Sequence, residues 1–134
     1  MNILLDTHVL LWALEGDERL SPQARRLICD EGNGVFYSVV SLWEVQIKHM
    51  THPDKMKTDA DDLARLCNAA GYEPLAVLSR HVSQLGTLRR RPEAPEHKDP
   101  FDRMLVCQAK SDGHLFLTHD ARMVDYDEPC VMMV

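Results

Sequence analysis

Short apolar runs that stop at an acid or a turn alternate along this chain with stretches whose apolar residues recur at helical spacing. Ile3, Leu4 and Leu5 show no polar alternation and read as a strand buried on both faces, with Asp6 at its carboxyl end. Val35 to Tyr37 and Leu115 to Leu117 repeat that pattern, Glu73 to Leu78 gives a weaker strand, and Val131 to Val134 suits a last edge strand. Val9 to Leu14 is apolar on nearly every side and predicts a buried helix ending near Gly16. Ser21 as N-cap and Pro22 at the first helical position open a second helix to about Asp30, before Gly32-Asn33-Gly34 turns the chain.

In the third helix Val40, Trp43, Glu44 and Ile47 fall on one stripe at i, i+3, i+4, i+7 spacing. That stripe turns Glu44 inward and leaves Gln46, Lys48 and His49 on other sides. Asp59 to Ala70 is an amphipathic helix with Leu63, Leu66 and Cys67 inside, and Ser79 is expected to cap a short helix through Leu85. Arg89 to Lys98 has two prolines, mixed charge and no periodicity, the marks of an exposed loop. Asp99 then caps a helix with Pro100 at its first position. Asp102 comes third and heads a core-facing stripe of Leu105, Val106 and Ala109, and Gly113 ends the helix.

A chain of 134 residues that is 45% hydrophobic suits one domain over residues 1–134. Neither a membrane span nor a signal peptide is legible, so a cytoplasmic protein with no membrane partner is expected. Cys29, Cys67, Cys107 and Cys130 form no CxxC pair, and free thiols are expected rather than disulfides or zinc ligands. A formal charge of −6 excludes nucleic-acid binding through the bulk field, so any such contact must be local.

The candidate chemistry lies in four acids. Asp6 and Asp120 follow buried strands, and each fits equally as the cap of the helix after it. Asp102 also fits a capping box with Asp99. Glu44 is harder to explain locally, because an ionised carboxylate within an apolar stripe is costly unless paired or metal-bound. Shared binding of a hard divalent cation, Mg²⁺ or Mn²⁺, is the economical account of all four, and phosphoryl hydrolysis is the chemistry that needs it. His8, His97 and His119 lie near these acids without a paired metal-ligand spacing, and they read as orienting or solvated groups. Trp12 and Trp43 read as core. No Gly-rich phosphate loop is present.

Four segments carry a family resemblance over nearly the whole chain: Leu4 to Trp12, Ser38 to Lys48 with its Ser41-Leu42-Trp43-Glu44, His97 to Leu105 with its Asp99-Pro100-Phe101-Asp102, and Leu117 to Asp120. In this order and spacing they resemble the PIN-domain ribonucleases, and among them the VapC toxins of bacterial toxin–antitoxin pairs. The resemblance implies an α/β fold with a parallel sheet of about four or five strands flanked by helices. It implies a Mg²⁺- or Mn²⁺-dependent endoribonuclease acting on RNA, a homodimer, and an antitoxin whose tail covers the acidic pocket. By motif position Asp6, Glu44, Asp102 and Asp120 become the metal-holding and catalytic acids, with Thr118 as a polar neighbour. Asp99 matches the Asp-Pro-x-Asp pattern and serves first as a cap and then as a support for that site.

The segment before His97, with Arg89-Arg90-Arg91 and Pro92 to Glu96, is longer than in the relatives. Those arginines are the densest positive run in the chain, and they suit either a solvated loop or a track for an RNA backbone. Two other readings stand beside the ribonuclease. One is a phosphatase-like hydrolase with Asp6 as nucleophile, weakened because position 8 is His8 where a DxD signature needs an acid. The other is a non-catalytic module whose acids bind a basic tail.

Overall fold

In the computed structural model, which describes residues 1–134, the first apolar run becomes the central strand of a five-stranded sheet. The strands are β1 (Asn2–Leu5), β2 (Gly34–Ser38), β3 (Glu73–Leu75), β4 (Leu115–Thr118) and β5 (Val131–Met133), in the spatial order β3-β2-β1-β4-β5. All four pairings are parallel. Ile3 pairs with both Val35 and Leu115, so β1 has a neighbour on each side. Ile3, Leu4 and Leu5 are fully buried, as a strand covered on both faces requires.

The six helices are α1 (Thr7–Glu15), α2 (Pro22–Cys29), α3 (Val39–Thr51), α4 (Ala60–Ala69), α5 (Ser79–Ser83) and α6 (Pro100–Asp112). Two further segments, Gln84–Thr87 and Ala121–Asp125, are short 3-10 turns. Successive β1 side chains point to opposite faces. Ile3 and Leu5 pack with Val9, Leu10, Ala24, Leu63 and Cys67 on one side, and Leu4 packs with Val40, Leu105, Val106 and Phe116 on the other. The chain adds β2 and β3 outward from β1 and then crosses back to place β4 on its other edge. In a parallel sheet that reversal opens a crevice at the carboxyl ends of the two strands involved. Asp6 follows β1 there, and Asp120 stands two residues beyond β4.

Ser21 and Asp99 cap α2 and α6 as expected, with Pro22 and Pro100 at the first position, and Gly113 ends α6 in the left-handed conformation (φ 69°). Several local expectations are corrected. The buried side of α3 carries Val40, Ser41 and Val45, while Trp43 is 59% and Ile47 39% exposed. This helix is apolar on more than one side, so its period alone did not decide which side meets the sheet. Leu66 is exposed because Leu63 and Cys67, one turn apart, already fill the buried side of α4. β3 stops at Leu75, since the Gln108 amide turns to the carbonyls of Leu75 and Ala76. Ser79 is the first residue of α5 and not its cap; the His81 ring accepts the Leu78 N–H instead, at 2.9 Å.

The Arg89–Lys98 segment is not simply solvated. Arg90 bridges backbone to backbone with Tyr126, and His97 is buried. All four cysteines are free, and burial pushes the Cys67 thiol up to about 12. No helix is long and apolar enough to cross a membrane.

Candidate active site

Asp6 extends the β1 ladder by donating its N–H to the Leu117 carbonyl at 3.0 Å, which fixes its Cα at the sheet edge. Its carboxylate accepts the Thr7 N–H at 2.8 Å on one oxygen and the Thr118 hydroxyl at 2.6 Å on the other. Thr118 is the last residue of β4, so the register of two neighbouring strands makes this contact. Burial nevertheless raises the Asp6 pKa; these hydrogen bonds oppose the shift and the charge of Glu44 adds to it.

Glu44 is held from two directions. The Thr7 hydroxyl donates to it at 2.9 Å, leaving that hydroxyl oxygen to accept from Ser41 at 2.9 Å. Lys48, one turn along α3, pairs with its other oxygen at 3.3 Å. Lys48 therefore lies on the Glu44 side of the helix, not apart from it as the sequence pattern suggested.

Asp102 occupies the first turn of α6, where the Asp99 carboxylate accepts the N–H groups of Phe101 (2.9 Å) and Asp102 (3.2 Å). The Asp102 side chain is buried, and its pKa is pushed up to about 7, first by desolvation and then by the charges of Asp6, Asp99 and Glu44. His97 Nε2 meets its Oδ2 at 3.1 Å. Burial, with help from Arg90 and Arg122, lowers the His97 pKa and favours the neutral ring.

Asp120 caps the 3-10 turn after it by accepting the Arg122 N–H at 2.9 Å, and its carboxylate also receives the Arg122 guanidinium at 2.6 Å. That pairing lowers the Asp120 pKa. The same guanidinium stands 3.5 Å from Asp102. Asp6 and Asp120 thus act as local caps and face the crevice at once.

Asp6, Glu44, Asp99, Asp102 and Asp120 line one pocket of about 220 Å³, together with the cations Lys48 and Arg122. His8 reaches its wall, whereas His119 lies apart with its ring against the Val134 carbonyl. With the side chains as they stand, no three acid, histidine or cysteine groups enclose a common point. The donor chemistry nevertheless fits Mg²⁺ or Mn²⁺. The acids supply hard oxygens, and Asp102, raised first by desolvation and then by the charges of Asp6, Asp99 and Glu44, lies among carboxylates short of counter-charge.

Arg89 and Arg91 are exposed, but Arg90 is folded back, its guanidinium 4.7 Å from the centre of the Tyr126 ring and 2.9 Å from the Pro95 carbonyl. Trp43 lies outside the core with its ring edge-on to Phe101, and Trp12 is partly buried beside His119. Sequence reasoning missed Lys48 and Arg122 in the pocket wall and Thr7 behind it, while His97, read as an orienting or solvated group, is buried against Asp102. Two had local signals: Lys48 stands four residues after Glu44 on a helix, and Arg122 two residues after Asp120.

No curated protein matches the chain in sequence. Among solved structures, the fold is similar to a chain of the VapBC2 complex from Rickettsia felis bound to a promoter DNA fragment. That match has a TM-score of 0.69 at 14% identity and covers 100% of this chain and 98% of the other. A toxin–antitoxin complex from Klebsiella pneumoniae matches with TM-score 0.59 at 16% identity over 97% and 95% of the two chains. VapBC-5 from Mycobacterium tuberculosis, of the VapBC family of toxin–antitoxin systems, matches with TM-score 0.58 at 23% identity over 99% and 97%. The sequence itself matches the PIN domain over residues 3–129. With that match spanning nearly its whole length, the chain belongs to the PIN domain family.

Proposed function

We propose that this protein is a Mg²⁺- or Mn²⁺-dependent endoribonuclease, the toxin of a toxin–antitoxin pair, hydrolysing RNA phosphodiester bonds in the cytoplasm. The observation that carries the reading is the convergence of Asp6, Glu44, Asp102 and Asp120 on one pocket at the switch point of a parallel sheet. These four acids are assigned to hold the ion and Asp99 and Thr118 to support them. Held by these acids, such an ion would supply charge to neutralise a phosphate and would make a bound water more acidic. The chain's own groups prepare for this. Thr7 and Thr118 fix the Asp6 and Glu44 carboxylates, and the same acids repel any phosphate that arrives without a cation. Lys48 and Arg122, the cations of the pocket wall, are placed to contact phosphate oxygens once an ion takes over their acids. Arg89 and Arg91 are assigned to the RNA backbone beyond the pocket.

An antitoxin and a second copy of the chain are the proposed protein partners. Support comes from the similar toxin–antitoxin complexes and from an apolar groove of about 450 Å³ beside the acidic pocket, where exposed Trp43 and Val77 join Phe101 and Met104. Incubating purified protein with RNA and Mn²⁺ or Mg²⁺ tests the central claim. Cleavage should stop with EDTA and fall in Asp6→Asn by more than the ~100-fold that marks the upper range for groups one step removed from a metal. Metal-independent cleavage, or full activity in Asp6→Asn, would rule it out.

A further inference from the structure

The Arg89–His97 segment is tied to the catalytic edge by contacts that its sequence does not announce. The Asp127 N–H donates to the Arg89 carbonyl and the Arg91 N–H to the Asp125 carbonyl, both at 2.9 Å, which lays this loop against the residues following Arg122. Within that seam the Arg90 guanidinium covers the Tyr126 ring and donates to the carbonyls of Pro95 (2.9 Å) and Arg122 (3.3 Å). The Tyr126 hydroxyl lies 2.8 Å from His97 Nδ1, and His97 Nε2 lies 3.1 Å from Asp102 Oδ2. Both ring nitrogens therefore have a partner in a buried setting. Once a cation holds Asp102 ionised its carboxylate accepts only, so Nε2 carries the ring hydrogen toward Asp102 and Nδ1 accepts from the tyrosine hydroxyl. One hydrogen-bond direction runs from Tyr126 through His97 to Asp102.

We infer that His97 is a positioning residue for the metal-holding site, its Tyr126-set tautomer fixing the Asp102 carboxylate toward the ion, with Arg90 clamping that pair. This rests on the metal-dependent reading of the pocket. It gives the longer segment before His97 a task other than contacting RNA, and it divides the three arginines: Arg90 serves the interior, Arg89 and Arg91 the surface. A carboxylate tied at one oxygen keeps the other free for a cation and loses little freedom when the cation arrives, which is how an outer partner strengthens a metal site.

The test is Mn²⁺ binding by isothermal titration calorimetry on the full chain, with unfolding temperature in EDTA as a control for folding. His97→Leu should weaken Mn²⁺ binding about 10- to 100-fold. His97→Gln, whose amide N–H can stand in for Nε2–H, should recover much of that loss. Tyr126→Phe should weaken binding less than His97→Leu does and serves as the readout should that variant not fold. Wild-type affinity in His97→Leu, or in Tyr126→Phe, overturns the inference, as does an equal loss in His97→Leu and His97→Gln, which marks mere packing. A wild-type protein that binds neither Mn²⁺ nor Mg²⁺ overturns the metal reading of the pocket and this inference with it. Binding by wild type with unchanged variants overturns this inference alone.

Discussion

The two halves of the acidic pocket hold their carboxylates by different means. On the Asp6 side the restraints come mainly from neutral donors: the Thr7 backbone N–H and the hydroxyl of Thr118 at the end of β4 hold Asp6, and the hydroxyl of Thr7 holds Glu44. On the Asp102 and Asp120 side they come from an imidazole and a guanidinium, and the Arg122 side chain is 61% exposed. Neutral donors orient a carboxylate without cancelling its charge, so Asp6 is fixed in direction with no cation on it, and only Glu44 in this half has a cation, Lys48, beside it. A guanidinium cancels charge and must yield before a divalent ion can use the same oxygens. The pocket thus joins a half oriented mainly by neutral donors to one whose acids are paired with an exposed guanidinium.

Breaking the Asp6 half should have the largest effect. Thr118→Val keeps the shape of the strand end but leaves a buried Asp6 oxygen without its donor, at a cost of about 1–3 kcal/mol in stability. RNA cleavage should fall about 10- to 100-fold, as for other groups that orient a ligand. Paired denaturation and rate measurements check this, and a variant of wild-type rate would show that β4 does not orient Asp6.

Acid should act on the other half. Asp102 titrates at about 7 in the folded chain, above its ordinary value of 3.8. The folded state therefore holds this proton more tightly than the unfolded chain does. The associated stabilisation is complete below about 4 and is lost as pH rises through about 7. An ion competes with the same proton, so Mn²⁺ affinity should fall about tenfold per pH unit below 7, and the stabilisation that Mn²⁺ confers should grow as pH rises. Thermal shift titrations at several pH values measure both, and a metal affinity flat between pH 5 and 7 would contradict the coupling.

Removing the exposed cation should give a smaller change of opposite sign. Arg122→Ala should tighten Mn²⁺ binding about two- to fivefold, the scale of an exposed ion pair, while weakening RNA binding. Weaker Mn²⁺ binding in this variant would mean that the guanidinium supports the site rather than competing for it. The mildest effect is expected outside the pocket. Arg89→Ala with Arg91→Ala should leave the cleavage step intact and lower the salt-dependence slope for single-stranded RNA by about 0.7 for each phosphate that these arginines neutralise. An unchanged slope would return both residues to the solvated surface.

Much of the frame was legible because it rests on local physics. An apolar run such as Ile3 to Leu5 has no wet face to offer, so a central, doubly covered strand is its stable setting, and Asp6 must then stand at a strand end. Asp99-Pro100 supplies an N-cap and a proline suited to the first helical position, which favours a helix start and puts Asp102 in its first turn. Those constraints bring Asp6 and Asp102 toward one crevice, and only the motif order adds Glu44 and Asp120 to them. The orientation of α3 was not legible, because Trp43, Ile47 and Val45 are all apolar and only the sheet and its neighbours select Val45 for burial.

Long-range pairings separate what the sequence by itself determined from what only the tertiary structure decided. Strand and helix identity, the caps and the position of each acid along its element follow from side-chain periodicity and backbone donors within a few residues. Which groups restrain those acids does not. Thr118 reaches Asp6 across 112 residues and Tyr126 reaches His97 across 29. Such partners meet only when the sheet register and the seam along the Arg89–His97 loop have formed. Burial then completes what the fold began: the shift of Asp102 toward neutrality comes from desolvation and from charges on other elements, quantities that no stretch of chain possesses alone.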